Sequence, residues 1–156
     1  MKKRMIWILL LAAACLLTGC GKKEEAAPAP TEALTLQQRV EAAAGDAKDL
    51  APLSAEDLTD ALGAEPEDVA EFVYLQETGF GGREILAVRA KDKEAADRLE
   101  EMMGHYLEQR REETWDYAPE AYKLLSQAKV ARKNLLLVMI SGKDAEKETE
   151  LLLVGE

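Results

Sequence analysis

The stretch EFVYLQETGFGGREILAVRA, residues 71–90, decides the fold. Two runs rich in β-branched and aromatic residues, Glu71–Gln76 and Arg83–Ala90, flank the turn segment ETGFGG. Runs of that composition bounded by turn residues read as strands, so the pair most simply forms a β-hairpin. Asp92 then stands where a cap is needed for a long helix from about Lys93 to Thr114. Ala95, Leu99, Met102, Met103, Tyr106 and Leu107 make one apolar stripe at helical spacing, with EQRREE (108–113) solvated beyond it.

Reading outward, Thr35-Leu36-Gln37-Gln38 has capping-box spacing, and Leu36, Val40 and Ala43 follow at helical intervals until Gly45 and Asp46. Ser54 to Asp57 opens a second short helix, with Leu58 and Leu62 on one face and Gly63 as its stop. Downstream, Pro119 starts a short helix that buries Ala121, Leu124, Leu125 and Ala128. AKVAR (128–132) and LLLVMIS (135–141) then flank Lys133-Asn134, a dipeptide suited to a tight turn because Asn tolerates positive φ. Asp144 to about Val154 reads as a helix, although its end, LLLV (151–154), would equally pair as an edge strand.

The order is two helices, then ββα, a short helix, ββ and α. It predicts an α+β fold: one small domain whose two β-hairpins form a single antiparallel sheet with helices packed on one face. The continuous apolar run Leu135–Ile140 predicts a central strand covered on both faces or at both ends.

The start of the chain carries a different signal. Lys2, Lys3 and Arg4 precede an apolar run, MIWILLLAAACLL (5–17), in the manner of a secretory signal peptide. The run is short of the about 20 apolar residues that cross roughly 30 Å of hydrocarbon. It ends in Leu17-Thr18-Gly19-Cys20, which resembles the lipobox of bacterial lipoproteins. That resemblance implies a diacylglyceryl group on the Cys20 thiol, cleavage after Gly19, and acyl chains of the palmitate kind in the membrane. Two acyl chains hold stably where one is marginal. The expected organisation is therefore a signal peptide over 1–19, a lipidated Cys20 with a flexible tether to residue 33, and a single domain over 34–156. The tether, GKKEEAAPAPTEA (21–33), has charges, small residues and prolines but no periodic apolar face.

Cys15 would leave with the signal segment, so Cys20 would be the one remaining cysteine, and no disulfide or cysteine metal site is expected. The whole chain has 20 basic and 30 acidic residues, net −10; without Lys2, Lys3 and Arg4 the balance is 17 against 30, net −13. Such a charge disfavours nucleic acid and anionic headgroups.

Several motifs bear on chemistry. TGFGGRE (78–84) is rich in glycine but leads into strand composition, whereas a phosphate loop leads into a helix. Met102-Met103-Gly104-His105 places two copper-type ligand residues together, yet both methionines fall on the predicted core stripe. His105 is the only histidine, and no GxSxG elbow occurs. With 30 acidic residues, carboxylates come close by chance, so their number says nothing about catalysis. ETWDYAPEAY (113–122) gathers Trp115, Tyr117 and Tyr122 around Pro119. Clustered aromatics form a binding surface or plug the end of a small core.

From Val69 to Ile140 the chain resembles the domain-of-unknown-function family 4358. The likeness rests on EFVYLQ, EILAVRAKDKEAADRLEEMM, YAPEAYKLLSQAKV and NLLLVMISG in that order. The resemblance implies a small lipoprotein of Gram-positive bacteria and brings no catalytic residues. The expected function is a binding or interaction module, not an enzyme, anchored on the extracytoplasmic face of the cell membrane. Its partner would be an envelope protein or a small ligand, and no cofactor is implied. The alternative is an accessory structural envelope lipoprotein with no ligand of its own.

Overall fold

The computed structural model describes residues 34–45, 47–79 and 81–156. The signal segment, Cys20 and the tether lie outside the described residues. Helix α1 (Leu36–Ala44) begins as the capping box requires: the Thr35 hydroxyl accepts from the Gln38 N–H, and the Gln38 side chain accepts from the Thr35 N–H. Helix α2 (Ala55–Leu62) repeats the device with Ser54 and Asp57, and stops at Gly63 in the left-handed conformation. Between them lies a three-residue strand, β1 (Leu50–Pro52).

After a 3-10 turn at Pro66–Asp68, strands β2 (Val69–Glu77) and β3 (Glu84–Ala90) form the expected hairpin, with Phe72 opposite Val88 and Tyr74 opposite Leu86. Helix α3 (Lys93–Thr114) starts at Asp92, whose carboxylate accepts from the Ala95 N–H at 2.8 Å. Helix α4 (Pro119–Gln127), strands β4 (Val130–Lys133) and β5 (Leu136–Ser141), and helix α5 (Ala145–Leu153) complete the order. The sheet runs β1-β2-β3-β5-β4, and all neighbours are antiparallel. The α+β class is therefore as read.

Helices cover both faces of this sheet, not one as expected. On one face Tyr74, Leu86, Val88, Leu137 and Met139 pack with Leu58, Leu99, Met103 and Leu125 of α2, α3 and α4. On the other, Val73, Leu75, Ile85, Ala87, Val138 and Ile140 pack with Leu36, Val40 and Leu152 of α1 and α5. The reason lies in the strands themselves. Every residue of β5 and all but one of β3 are buried, so both faces of that pair must be taken out of water. The unbroken run at Leu135–Ile140 allows cover on both faces or at both ends, and the structure has both faces covered.

Three smaller differences follow from local geometry. The strand β1 escapes sequence reading because three residues ending in proline show no alternation; it is held by pairing with Leu75–Glu77. Lys133 pairs with Leu136, so the tight turn is Asn134-Leu135, one residue later than read, with Asn134 at φ 53°. The final LLLV belongs to α5 through Leu153, because Leu152 reaches the α1 core.

The glycine segment between β2 and β3 closes the hairpin against α4. Gly82 has φ 78°, and a Cβ there would lie 2.5 Å from the Ala121 Cα. Gly79 has φ 86° but faces open space. Gly82→Ala should therefore cost roughly 2–5 kcal/mol, combining left-handed strain with overpacking, whereas Gly79→Ala should cost only the strain, about 1–2 kcal/mol. Urea unfolding of the two variants checks the order; equal losses would show that α4 does not press on the hairpin.

Candidate functional site

The aromatic segment is built by the junction of α3 and α4. The Trp115 N–H still donates to the Arg111 carbonyl, and the Ala118 N–H donates to Thr114, so the chain turns tightly at the helix end. Pro119 occupies the first turn of α4, where its missing N–H costs nothing. Ala118, Ala121 and Leu125 point into the core, which turns Tyr122 outward. Arg111 fastens the junction. Its Nε donates to the Leu125 carbonyl at 3.0 Å, which also accepts from the Ala128 N–H, and its Nη2 donates to the Ala128 carbonyl at 2.8 Å, so one guanidinium spans the end of α4. Its Nη1 meets Glu108 at 2.5 Å.

Glu108, Arg111, Glu112, Trp115 and Tyr122 line an open depression of about 420 Å³. Trp115 is 66% exposed and Tyr122 37%. Tyr117 is equally exposed at 66% but does not line the depression. The aromatics thus form a surface and do not plug the core. The buried positions of the junction are taken by small side chains, Thr114, Ala118 and Ala121.

Sequence reading expected EQRREE to be solvated, yet two of its members turn inward: Arg111 as above, and Arg110 into a buried polar cluster. Glu84, fully buried at the start of β3, is the centre of that cluster. The Tyr106 hydroxyl donates to one of its oxygens, Gln76 Nε2 donates to the other at 3.3 Å, and Arg110 Nε lies 3.5 Å away. Arg110 Nε makes no hydrogen bond, although its Nη1 pairs with Glu113 at 2.8 Å. The Tyr74 and Tyr106 hydroxyls are 2.7 Å apart, with their rings edge to face at 6.4 Å.

Burial pushes the Glu84 carboxyl above the usual carboxylate range, against the downward pull of Tyr106 and Arg110. Burial and the neighbouring Glu84 push Tyr74 up to about 12, and Tyr106 shifts the same way. A raised carboxyl beside two phenols has the ingredients of a proton relay. Among the described residues, Glu84 lines neither the Trp115 depression nor the grooves beside β4 and β2. What the cluster does here is tie β3 to α3. Sequence reading missed it, although a signal existed: Glu84 is in phase with Leu86 and Val88 on a strand buried on both sides.

The remaining candidates separate. Met103 is buried in the core and Met102 partly so, while the His105 side chain is 80% exposed and 3.8 Å from Glu101. Among the described residues no group of three or more His, Cys, Asp or Glu side chains is placed to hold a metal ion. The TGFGGRE glycines lead from β2 into β3, a hairpin and not a phosphate loop. On the opposite face Arg83 grips Glu148 through two contacts of 2.7 and 2.8 Å. Arg39 and Arg89 both meet Glu156, and the Arg89 bond above all holds its carboxyl down at about 2.

These features define a small α+β domain, an antiparallel sheet between two helical layers with aromatic side chains displayed at one helix junction. The chain belongs to the family described as a domain of unknown function (DUF4358), whose model matches residues 43–142. That span contains the whole sheet, α2, α3, α4 and the Trp115–Tyr122 surface, and omits α5 and all but the end of α1. No curated protein and no solved structure matches the chain.

Glu84 sets a pH dependence whose sign follows from its raised value. The folded chain binds that proton more tightly than the unfolded chain does. Its contribution is therefore complete below the ordinary value of 4.5 and is lost as pH rises through the folded value. Glu84→Gln has no such proton to lose. In urea unfolding from pH 4 to 7, the stability of the wild type relative to Glu84→Gln should fall as pH rises. A difference that stays constant across that range would mean that Glu84 is not held in a charge-averse site.

Proposed function

We propose that this chain is a lipid-anchored extracytoplasmic binding module that meets its partner through the Trp115–Tyr122 surface. The observation that carries the reading is a tryptophan two-thirds exposed beside an exposed tyrosine in one open depression. Adjacent aromatic rings left in water are suited to a contact surface, and Trp and Tyr are enriched among the residues that carry binding energy. The depression is open, which suits a macromolecular partner better than an enclosed small ligand.

The anchor rests on a separate argument. Lys2, Lys3, Arg4, the apolar run and Leu17-Thr18-Gly19-Cys20 support export and lipidation at Cys20, in the manner of a Gram-positive lipoprotein. Thirteen residues, Gly21–Ala33, would reach about 40 Å if fully extended at roughly 3.1 Å per residue, enough to clear the headgroups. An envelope protein is then the natural partner.

Two measurements test the reading. Cys20→Ala should leave the membrane fraction or accumulate unprocessed; wild-type fractionation and migration of that variant would end the lipoprotein assignment. A photo-crosslinking residue at position 122, in intact membranes, should give a discrete adduct that Trp115→Ala removes. If no adduct forms, the binding reading fails and the structural-lipoprotein alternative takes its place.

A further inference from the structure

We infer that the Trp115–Tyr122 depression takes a lysine- or arginine-bearing segment of a partner polypeptide. The inference rests on the binding reading above and adds the chemistry of what is bound.

Charge accounting within the depression leads there. Arg111 is the one cation among the described residues that line it, and all three of its guanidinium nitrogens are already engaged by Leu125, Ala128 and Glu108. Glu112 lines the same depression, is exposed, and makes no hydrogen bond or ion pair with the described residues. What faces outward is therefore one unneutralised carboxylate beside two aromatic rings. A cation over an indole face is attracted by the ring quadrupole, and Trp is the best of the aromatic partners for it.

The wider charge has the same sign. Asp116 in the connecting segment and Glu120 in the first turn of α4 are both exposed and negative, and the whole chain is net −10. A field of that sign speeds the approach of cationic partners.

The open shape selects between a free cation and a polypeptide. A small ammonium ion in an unwalled depression keeps most of its water and gains little. A basic segment can place one side chain over Trp115 while its neighbours meet Glu112, Asp116 and Glu120, so that several weak contacts share one ordering cost.

The probe is a fluorescein-labelled peptide of alternating lysine and glycine, read by anisotropy against the mature chain at low salt. Trp115→Ala should weaken binding about tenfold and Glu112→Gln about threefold. Glu67→Gln is the charge control, because Glu67 is exposed in the turn that packs near the N-terminal half of α3; it should leave affinity unchanged. Circular dichroism confirms that the variants fold. Equal weakening by Glu112→Gln and Glu67→Gln, with Trp115→Ala silent, would reduce the attraction to diffuse charge and overturn the site. Binding of tetramethylammonium without binding of the peptide would overturn the polypeptide assignment. If the peptide fails while the crosslink from position 122 persists, the contact surface stands and its cationic ligand does not. If both fail, both readings fall.

Discussion

The pairing of β3 with β5 is the contact on which every other element depends. Leu86 faces Met139 and Val88 faces Leu137 on one side of the sheet, while Ile85 faces Ile140 and Ala87 faces Val138 on the other. Neither strand has a wet face. Two hairpins distant in the chain therefore meet at their inner strands, leaving β1 and β4 at the edges. Apolar side chains on both sides require a helical layer on each, and the chain supplies α2, α3 and α4 to one and α1 and α5 to the other. The layering is a consequence of the strand pair and needs no separate instruction.

Polar groups are placed where they specify how those layers dock. Glu84 sits on the α3 side with Tyr106, Tyr74 and Gln76, so α3 has one rotation that keeps the Tyr106 hydroxyl on the carboxyl. An apolar residue at 84 would tolerate several rotations. Across the sheet, Arg83 reaches Glu148 of α5 while its Nη1 also donates to the Ser141 carbonyl at 3.2 Å, joining the start of β3 to the end of β5 and to α5. Adjacent residues at the start of one strand thus orient a helix on each face. Alternation of side chains along a strand makes that division automatic.

Helix caps were legible in the sequence because capping is local chemistry. Thr35, Ser54, Asp92 and Pro119 each act within three or four residues, and each helix begins where those residues indicated. The β2–β3 hairpin was legible for the same reason. The second helical layer was not, because the burial of Leu36, Val40 and Leu152 is decided by partners on other elements, beyond the reach of local chemistry. The inward turn of Arg110 and Arg111 was hidden similarly. A charged run reads as solvent-facing until a buried carboxylate and the carbonyls at the end of α4 are known to lie beside it. At the aromatic patch the residues were evident and their exposure was not, since composition serves a plug and a surface equally well.

Exposure of Trp115 persists because nothing in the fold can relieve it. An indole at a helix end would ordinarily fold back onto the nearest apolar surface, but here that surface is already closed by Thr114, Ala118 and Ala121. Arg111 holds α4 against α3 by its bonds to the Leu125 and Ala128 carbonyls, so the helices do not part to admit the ring. Further along α3, Tyr106 is bound to Glu84 and Met103 is in the core, which fixes the helix that carries the indole. The ring therefore stands in water on a rigid support, with Tyr122 held beside it by an equally buried helix face. Side chains presented in that way lose little freedom when a partner covers them. The small residues under the junction thus have two effects at once: they complete the core, and they keep the aromatic surface outside it.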